Sequence, residues 1–418
     1  MSSLSRLAES LPGSEIVKLG NEISRRVQQG EQIYNYTIGD FNPDIFPIPA
    51  LLEELIVAGY QQKHTNYPPA DGLPELRNAV AGFVEGHEGI SYAPNEVLIA
   101  SGGRPLIYTL FKTVVDHNDK VIYAVPSWNN NHYTAINHGV HCVIETFPEN
   151  NFMPLLADIE PHIEAATLLC LCTPQNPTGT TIDKETLEGI CDLIIEENRK
   201  RTGHTKKLYL MFDQMYSLLT YHKIKHYNPV SLRPEMKDYT IFVDGISKSF
   251  AATGVRVGWA LGPAPVLAKM RSLLSHIGAW APMAEQKATA KFLLQTEVIA
   301  QYLAGFKKGL WERLACIYEG FMLLKKKGYP VDCIAPQAAI YLTVKIDLAG
   351  KYAGAELLHD QGAVTAYILA NAKLAIVPFS AFGAGPDSPW YRMSVGTCAL
   401  QDIPHMLSLL EQALSAAV

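Results

Sequence analysis

Lys248 is the residue whose surroundings most clearly predict chemistry. It follows TIFVDGIS (240–247), an apolar run typical of a buried strand, and a Gly-rich turn and Arg256 come after it. Lysines are rarely buried unless they are paired or functional, and a desolvated lysine amine can act as a nucleophile or form a Schiff base. The planar guanidinium of Arg256 suits a phosphate. A lone lysine would by default lie at the surface, but this combination is rarely found by chance.

Three other apolar runs also lead into polar residues: TLLCLCT (167–173) before Asn176, KLYLMFD (207–213) at Asp213 and before Tyr216, and EVLIAS (96–101) before Gly102, Gly103 and Arg104. Open α/β sheets bind ligands outside the carboxyl ends of their strands. A Gly-Gly turn at a helix start leaves backbone N–H groups available for an anion, although most such turns are plain connections.

These strand ends require a sheet to position them. Seven runs read as strands, and helical patterns such as 105–117 and 183–201 lie between several of them; the runs are 96–101, 120–126, 141–146, 167–173, 207–213, 240–247 and 255–262. Continuous apolar runs are typical of strands buried on both faces. The alternation predicts an α/β domain with a mostly parallel seven-stranded sheet flanked by helices.

The pattern changes after about residue 263. Long amphipathic stretches (265–277 and 285–327) precede a second set of strands near 339–346 and 391–396, which predicts a smaller α+β domain. The N-terminal region contains a helical stretch, 14–29, that could pack on it. We therefore expect an N-terminal segment (1–45) packing with the small domain, a large domain (46–285) and a small C-terminal domain (286–418).

Composition excludes several classes of protein. The 418 residues carry a net charge of −6 and are 48% hydrophobic, which is ordinary for a globular chain and offers no basic surface for nucleic acid. The N-terminal residues lack the apolar region of a signal peptide, and no stretch has the length of a membrane helix. The seven cysteines form no CxxC pair. We expect a soluble, reduced, cytoplasmic protein without a metal site.

The ordered motifs resemble those of the class I/II pyridoxal-phosphate (PLP) aminotransferases, which have the aspartate aminotransferase fold (PLP fold type I). The matching motifs extend from Gly39 in TIGDFNPD to Arg392 in YRMSVGT. Each motif is modest alone, but the ordered set is highly specific. The resemblance implies PLP as cofactor, an L-amino acid and a 2-oxo acid as substrates, and a homodimer with its active sites at the interface.

The resemblance also assigns roles at the cofactor. It implies that Lys248 forms the internal aldimine with PLP and that Asp213 pairs with the pyridine nitrogen. Tyr216 and Asn176 resemble the pair that hydrogen-bonds the phenolic oxygen. The phosphate would be bound by Gly102, Gly103, Arg104, Ser247 and Arg256.

Further positions follow from the same resemblance. Trp128 in VPSWNNN resembles the aromatic residue that stacks on the pyridine face, although a tryptophan is more often ordinary core. Tyr67 resembles the tyrosine that reaches the phosphate in the neighbouring subunit, although an exposed tyrosine in a Pro-rich loop needs no function. Arg392 resembles the arginine that binds the substrate α-carboxylate, with Gly39 and Asn176 in the same pocket.

Two departures from the family pattern stand out. Gly245 replaces the Ser or Thr that commonly lies three residues before the lysine, which removes one phosphate contact. Arg104 is charged where smaller or uncharged residues are usual. We hypothesise that its guanidinium supplies the missing contact, in which case Arg104→Ala would weaken cofactor binding.

The resemblance implies ping-pong amino transfer through Lys248, with 2-oxoglutarate the expected acceptor. The alternative is a PLP-dependent lyase of the same fold, such as a C–S lyase or an enzyme similar to aminocyclopropane-carboxylate synthase, because fold does not fix the reaction. A regulator that uses the fold as a ligand sensor is a third reading. It is disfavoured because only about 35 residues precede the first matched motif, too few for a DNA-binding domain.

Overall fold

The structure, a computed structural model, describes residues 4–10, 15–203 and 205–417. Its strands, in chain order, are β1 (Tyr34–Asn35), β2 (Val97–Ala100), β3 (Lys120–Val125), β4 (Val140–Glu145), β5 (Ala166–Cys172), β6 (Tyr209–Asp213), β7 (Thr240–Gly245), β8 (Gly258–Leu261), β9 (Val331–Cys333), β10 (Tyr341–Ile346), β11 (Tyr352–Ala353), β12 (Glu356–Leu357), β13 (Leu374–Ala375), β14 (Val377–Pro378) and β15 (Trp390–Ser394).

The α-helices connect these strands and cover them. In chain order they are α1 (Arg6–Ser10), α2 (Glu15–Gln28), α3 (Ala50–Gln61), α4 (Pro74–Glu88), α5 (Gly103–Val114), α6 (Asn130–Ile136), α7 (Leu156–Ile159), α8 (Lys184–Lys200), α9 (Pro229–Leu232), α10 (Ile246–Ser249), α11 (Ala264–Ile277), α12 (Met283–Phe292), α13 (Thr296–Lys326), α14 (Gln361–Asn371) and α15 (Ile403–Ser415).

The seven predicted strands form one seven-stranded sheet in the order β2-β8-β7-β6-β5-β3-β4. All neighbours are parallel except β8, which is antiparallel to both β2 and β7. Most of these strand residues are buried, because helices cover both faces. The predicted mostly parallel sheet of an α/β domain is therefore confirmed.

The predicted helices also form, with shifted ends. Helix α8 begins where predicted because Asp183 caps it, with Oδ1 accepting a hydrogen bond from Thr186 N at 2.7 Å. Helix α5 begins at Gly103, two residues earlier than predicted. The N–H groups of a first helical turn have no partner within the helix, so Gly103 and Arg104 can form that turn together with Pro105. The stretch 285–327 is divided between α12 and α13. The predicted stretch 14–29 corresponds to α2, and residue 14 lies outside the described residues.

The second set of strands forms a smaller antiparallel sheet in the order β14-β15-β10-β9. Helices α13, α14 and α15 bury their apolar sides in one core with this sheet. Tyr34, Tyr36, Phe41 and Phe46 of the N-terminal region belong to the same core. The domain boundaries at 45 and 285 stay predictions. Within the described part of the chain, no helix is long and apolar enough to cross a membrane.

Candidate active site

A cavity of about 600 Å³ lies at the carboxyl edge of the seven-stranded sheet. Strands β5, β6 and β7 are in register there, with Cys172 opposite Asp213 and Asp213 opposite Val243. Eleven of the thirteen predicted site residues line the cavity, namely Gly39, Gly103, Arg104, Trp128, Asn176, Asp213, Tyr216, Ser247, Lys248, Arg256 and Arg392. Residues far apart in the chain thus meet at one strand edge.

Lys248 lies in the short helix α10, directly after β7. Its Nζ donates a hydrogen bond of 2.6 Å to the carbonyl oxygen of Gly39. Removal from water disfavours the ammonium form and lowers the pKa of Lys248 to about 8. A larger fraction of the amine is therefore neutral near neutral pH, which suits a nucleophile.

Asp213 ends β6 at the floor of the cavity. One carboxylate oxygen accepts a hydrogen bond from Met215 N at 3.1 Å, and no lysine or arginine of the described chain forms an ion pair with Asp213. Burial raises the pKa of this carboxyl to about 6. A carboxylate in this position would be stabilised by a cationic ligand.

The turn between β2 and α5 forms an anion cradle with Arg256. Gly102 has a φ of +88°, and a Cβ there would lie 2.4 Å from Nη2 of Arg256, so the turn requires glycine. The Gly102 N–H already donates to the Ala100 carbonyl, which leaves the first N–H groups of α5, those of Gly103 and Arg104, for an anion. Gly102 therefore contributes through its backbone shape.

Arg256 completes this cradle. Its guanidinium donates to the carbonyl oxygens of Thr253 at 2.7 Å and Ser101 at 2.8 Å. No carboxylate of the described residues pairs with it, so its charge is available to a ligand. Ser247 also lines the cavity.

Gly245 has a steric explanation. A Cβ at this position would lie 2.8 Å from both Gly258 Cα and the Val257 carbonyl oxygen, because β7 and β8 approach closely at their ends. Both obstacles are backbone atoms that cannot move aside. A serine or threonine here would require a shift of the strands.

Arg392 in β15 is only 2% exposed and carries a charge without an anionic partner among the described residues. It donates to Asn176 Oδ1 at 3.0 Å and to the Thr37 carbonyl at 2.6 Å, while its Nε has no partner. An unpaired buried cation is costly, and burial lowers the pKa of Arg392. The site is therefore suited to a carboxylate, which Arg binds through two parallel hydrogen bonds.

Asn176 contacts this arginine directly, and Tyr216 is linked to it through Tyr341. The Tyr216 hydroxyl is 2.7 Å from the hydroxyl of Tyr341, which lies over the Arg392 guanidinium at 4.7 Å. Burial raises the pKa of Tyr216, so its hydroxyl stays neutral and can donate a hydrogen bond. Both predicted residues are therefore oriented into the cavity.

Arg104 lies at the mouth of the cavity, with its guanidinium carbon 5.3 Å from the centre of the Trp128 ring. It is exposed, and its side chain makes no hydrogen bond or ion pair with another described residue. Its charge is therefore free to meet a ligand.

Tyr67 does not lie in this cavity. It is 84% exposed and packs edge-on against Trp280, with ring centres 5.5 Å apart. Both residues line a separate cavity of about 460 Å³. Any role of Tyr67 at a cofactor would therefore require a second subunit.

Ten residues that line the cavity were not predicted from the sequence, and among them are Thr37, Asp40, Thr253 and Tyr341. Thr37 and Asp40 flank Gly39 in TIGDFNPD, and Thr253 lies between Lys248 and Arg256, so proximity to predicted residues was the available signal. Tyr341 belongs to the second sheet and carried no local signal.

The cavity residues fit PLP on grounds independent of the resemblance. A lysine amine with a lowered pKa can bond to the aldehyde of PLP. Asp213 is a buried carboxylate with no cationic partner among the described residues, so it can pair with the pyridine nitrogen of PLP. The Gly102 turn, which a Cβ would fill, and Arg256 form a cradle for its phosphate. Within the described residues, no group of His, Cys, Asp or Glu is arranged to hold a metal ion.

Comparisons with known proteins agree with this arrangement. Residues 32–409 match the sequence model of the family described as aminotransferase class I and II. The aspartate aminotransferase of Geobacillus stearothermophilus is 28% identical over 397 residues, covering 94% of each chain. The aspartate/prephenate aminotransferase of Thermus thermophilus is 30% identical over 344 residues, covering 82% of this chain and 84% of the relative.

Solved structures show the same fold. The aspartate aminotransferase from Thermus thermophilus with maleate superimposes with a TM-score of 0.86 at 26% identity, covering 99% of this chain and all of the other. The enzyme from Rhizobium meliloti gives 0.91 at 22% identity over both full chains. The chain therefore belongs to the class I and II aminotransferases, pyridoxal-phosphate-dependent enzymes that transfer amino groups.

Proposed function

We propose that the protein transfers the amino group of a dicarboxylic L-amino acid to a 2-oxo acid, such as 2-oxoglutarate, by ping-pong kinetics centred on Lys248. The observation that carries the proposal is that, besides Arg256 at the phosphate cradle, two arginines with no anionic partner among the described residues, Arg104 and Arg392, line the cavity that contains Lys248. Each arginine suits one carboxylate.

The cofactor would be held by the groups described above. Lys248 Nζ would hold PLP before substrate arrives, and PLP would supply an electron sink for the electron pair left when the substrate Cα loses its proton. Asp213 Oδ2 would hold a proton on the ring nitrogen, and Tyr216 and Asn176 would donate hydrogen bonds to the phenolic oxygen. The N-terminus of α5, Ser247 and Arg256 would bind the phosphate, and Trp128 would cover the ring face.

Lys248 would also move the proton. Once the substrate amine has taken its place, the Nζ is free and its lowered pKa makes it a general base for the proton on Cα. The same Nζ then returns the proton later in the half-reaction. Arg392 would fix the α-carboxylate, so that Cα lies within reach of Nζ.

The substrate class rests on Arg104. The two relatives described above are named for aspartate or aspartate and prephenate, and one solved relative is titled with maleate, a dicarboxylate. A second carboxylate, bound at Arg104 while Arg392 holds the first, explains why an exposed cation stands at the cavity mouth. The names of the relatives do not favour the lyase alternative.

We expect Arg104→Gln to lower kcat/KM for aspartate and glutamate by about tenfold to a hundredfold, because a hydrogen bond to a charged group is worth about 1.5–3 kcal/mol. Activity with alanine should change little. The measurement is a panel of amino donors assayed with 2-oxoglutarate.

The same variant tests the earlier hypothesis that Arg104 binds the phosphate. In that case its Kd for PLP would rise and all donors would be affected alike. Equal losses with aspartate and alanine would therefore contradict the proposed substrate class. Release of pyruvate and ammonia without a 2-oxo acid would instead indicate the lyase reaction.

We propose a cytoplasmic homodimer in which Tyr67 reaches the phosphate site of the partner subunit. Its hydroxyl is exposed, and it lies beside a separate cavity with the half-exposed Tyr60. Exposed aromatic residues are enriched at protein interfaces. The seven cysteines are free, in keeping with a reducing compartment.

We expect Tyr67→Phe to raise the Kd for PLP by about tenfold, since one hydrogen bond to a charged group is lost. The matched control is Tyr352→Phe, which removes the hydroxyl of a half-exposed tyrosine outside both cavities. Light scattering should show a dimer for all three proteins. A wild-type monomer, or a Kd unchanged by Tyr67→Phe, would contradict this assignment.

A further inference from the structure

Asp40 is a carboxylate of the cavity to which no role has been given. It follows Gly39, whose carbonyl oxygen accepts the hydrogen bond from Lys248 Nζ at 2.6 Å. The next residue, Phe41, places its ring 6.0 Å from the same Nζ. The segment from Gly39 to Phe41 therefore passes directly beside the reactive amine.

The Asp40 side chain is held in place from two sides. Its Oδ1 accepts hydrogen bonds from Thr253 Oγ1 at 2.5 Å and from Phe41 N at 2.8 Å. Thr253 belongs to the loop that carries Arg256, and its carbonyl accepts from that arginine at 2.7 Å. No cation forms an ion pair with Asp40 within the described residues. Its negative charge is thus fixed but not neutralised.

Charged groups of both signs act on Lys248 Nζ, and the positive ones outnumber the negative one. Three arginines, 104, 256 and 392, act against a positive charge on Nζ, and Asp40 acts in favour of it. The other titratable groups lining the cavity are Cys172, Asp213, Tyr216 and Tyr341. Of these, Asp213 lies at the floor and would be engaged by the cofactor ring.

We infer that Asp40 is a positioning residue that stabilises the protonated form of Lys248 Nζ when this nitrogen is bonded to the cofactor. The inference rests on the proposed function, because it requires Lys248 to be the PLP-bearing lysine. A proton on this nitrogen makes the carbon bonded to it more electrophilic. Asp40 would thereby help an incoming amine to displace the lysine.

The test is a spectroscopic pH titration of the holoenzyme without substrate, since the visible absorption of the cofactor reports the protonation of the nitrogen bonded to it. We expect Asp40→Asn to move the midpoint to lower pH by about one unit, as for loss of a neighbouring opposite charge. Asparagine keeps an oxygen for the bonds from Thr253 and Phe41. Asp40→Glu, which restores the charge, should return the midpoint most of the way to the wild-type value.

The matched control is Asp44→Asn, the same change in an exposed residue of the same region, outside the cavity. Its midpoint should equal that of the wild type. A wild-type midpoint in Asp40→Asn, or equal shifts in Asp40→Asn and Asp40→Glu, would overturn the inference while PLP remains bonded to Lys248. Absence of PLP from Lys248 in the wild-type protein would overturn the proposed function as well.

Discussion

Replacing Lys248 by alanine should reduce kcat for amino transfer by at least about 10⁴-fold, the upper range for loss of a general acid–base group. Alanine removes both the amine that bonds to PLP and the base that takes the proton from Cα. The measurement is kcat with the best donor and 2-oxoglutarate, at a PLP concentration that saturates the variant.

A control variant must show that the loss of kcat comes from the position of Lys248 in the cavity, and not from the removal of any buried lysine with a lowered pKa. Lys307 provides it, because burial also lowers the pKa of this lysine but its side chain lies outside the cavity. Lys307→Ala should retain kcat within a few-fold. If Lys248→Ala kept more than about one tenth of the wild-type kcat, the assignment of Lys248 would be wrong.

Asp213→Asn should lower kcat by at least about 10²-fold, a loss typical of removing one electrostatic stabiliser of the transition state. In the cavity the pKa of Asp213 is raised to about 6 by burial, and a protonated ring nitrogen would lower it again by supplying the missing cation. Asparagine cannot hold that proton on the ring. It does keep an oxygen for the hydrogen bond from Met215 N.

Asp244→Asn is the matched control for this variant. Asp244 lies on the neighbouring strand β7, is buried, and accepts a backbone hydrogen bond from Gly245 N at 2.7 Å. Burial raises its pKa as it does that of Asp213, but Asp244 does not line the cavity. Similar losses of kcat in the two variants would show that the charge of Asp213 is not the cause.

Much of the fold could be predicted because its signals are local. Each strand of the large sheet is an apolar run bounded by polar residues, and runs such as 167–173 and 207–213 differ from the strands by only one or two residues. The helices between them predicted the parallel arrangement. Lys248 stood out for the same local reason, as a charged residue directly after a buried strand.

The long-range contacts around the cavity could not be predicted. Tyr216 meets Tyr341 across 125 positions of sequence, and Asp40 meets Thr253 across 213. Such pairs depend on how the small sheet and the N-terminal region pack against the large domain, which no local pattern specifies. The free charge of Arg104 was likewise hidden, because the sequence does not show that its guanidinium lies beside the Trp128 ring.

The central claim is that PLP is bonded to Lys248, and peptide mapping after borohydride reduction tests it most directly. Reduction makes the bond between lysine and cofactor permanent, so mass spectrometry can locate it. The account predicts one PLP-derived mass increase per chain, on the peptide that contains Lys248. A mass increase on a different lysine, or none in protein saturated with PLP, would contradict it.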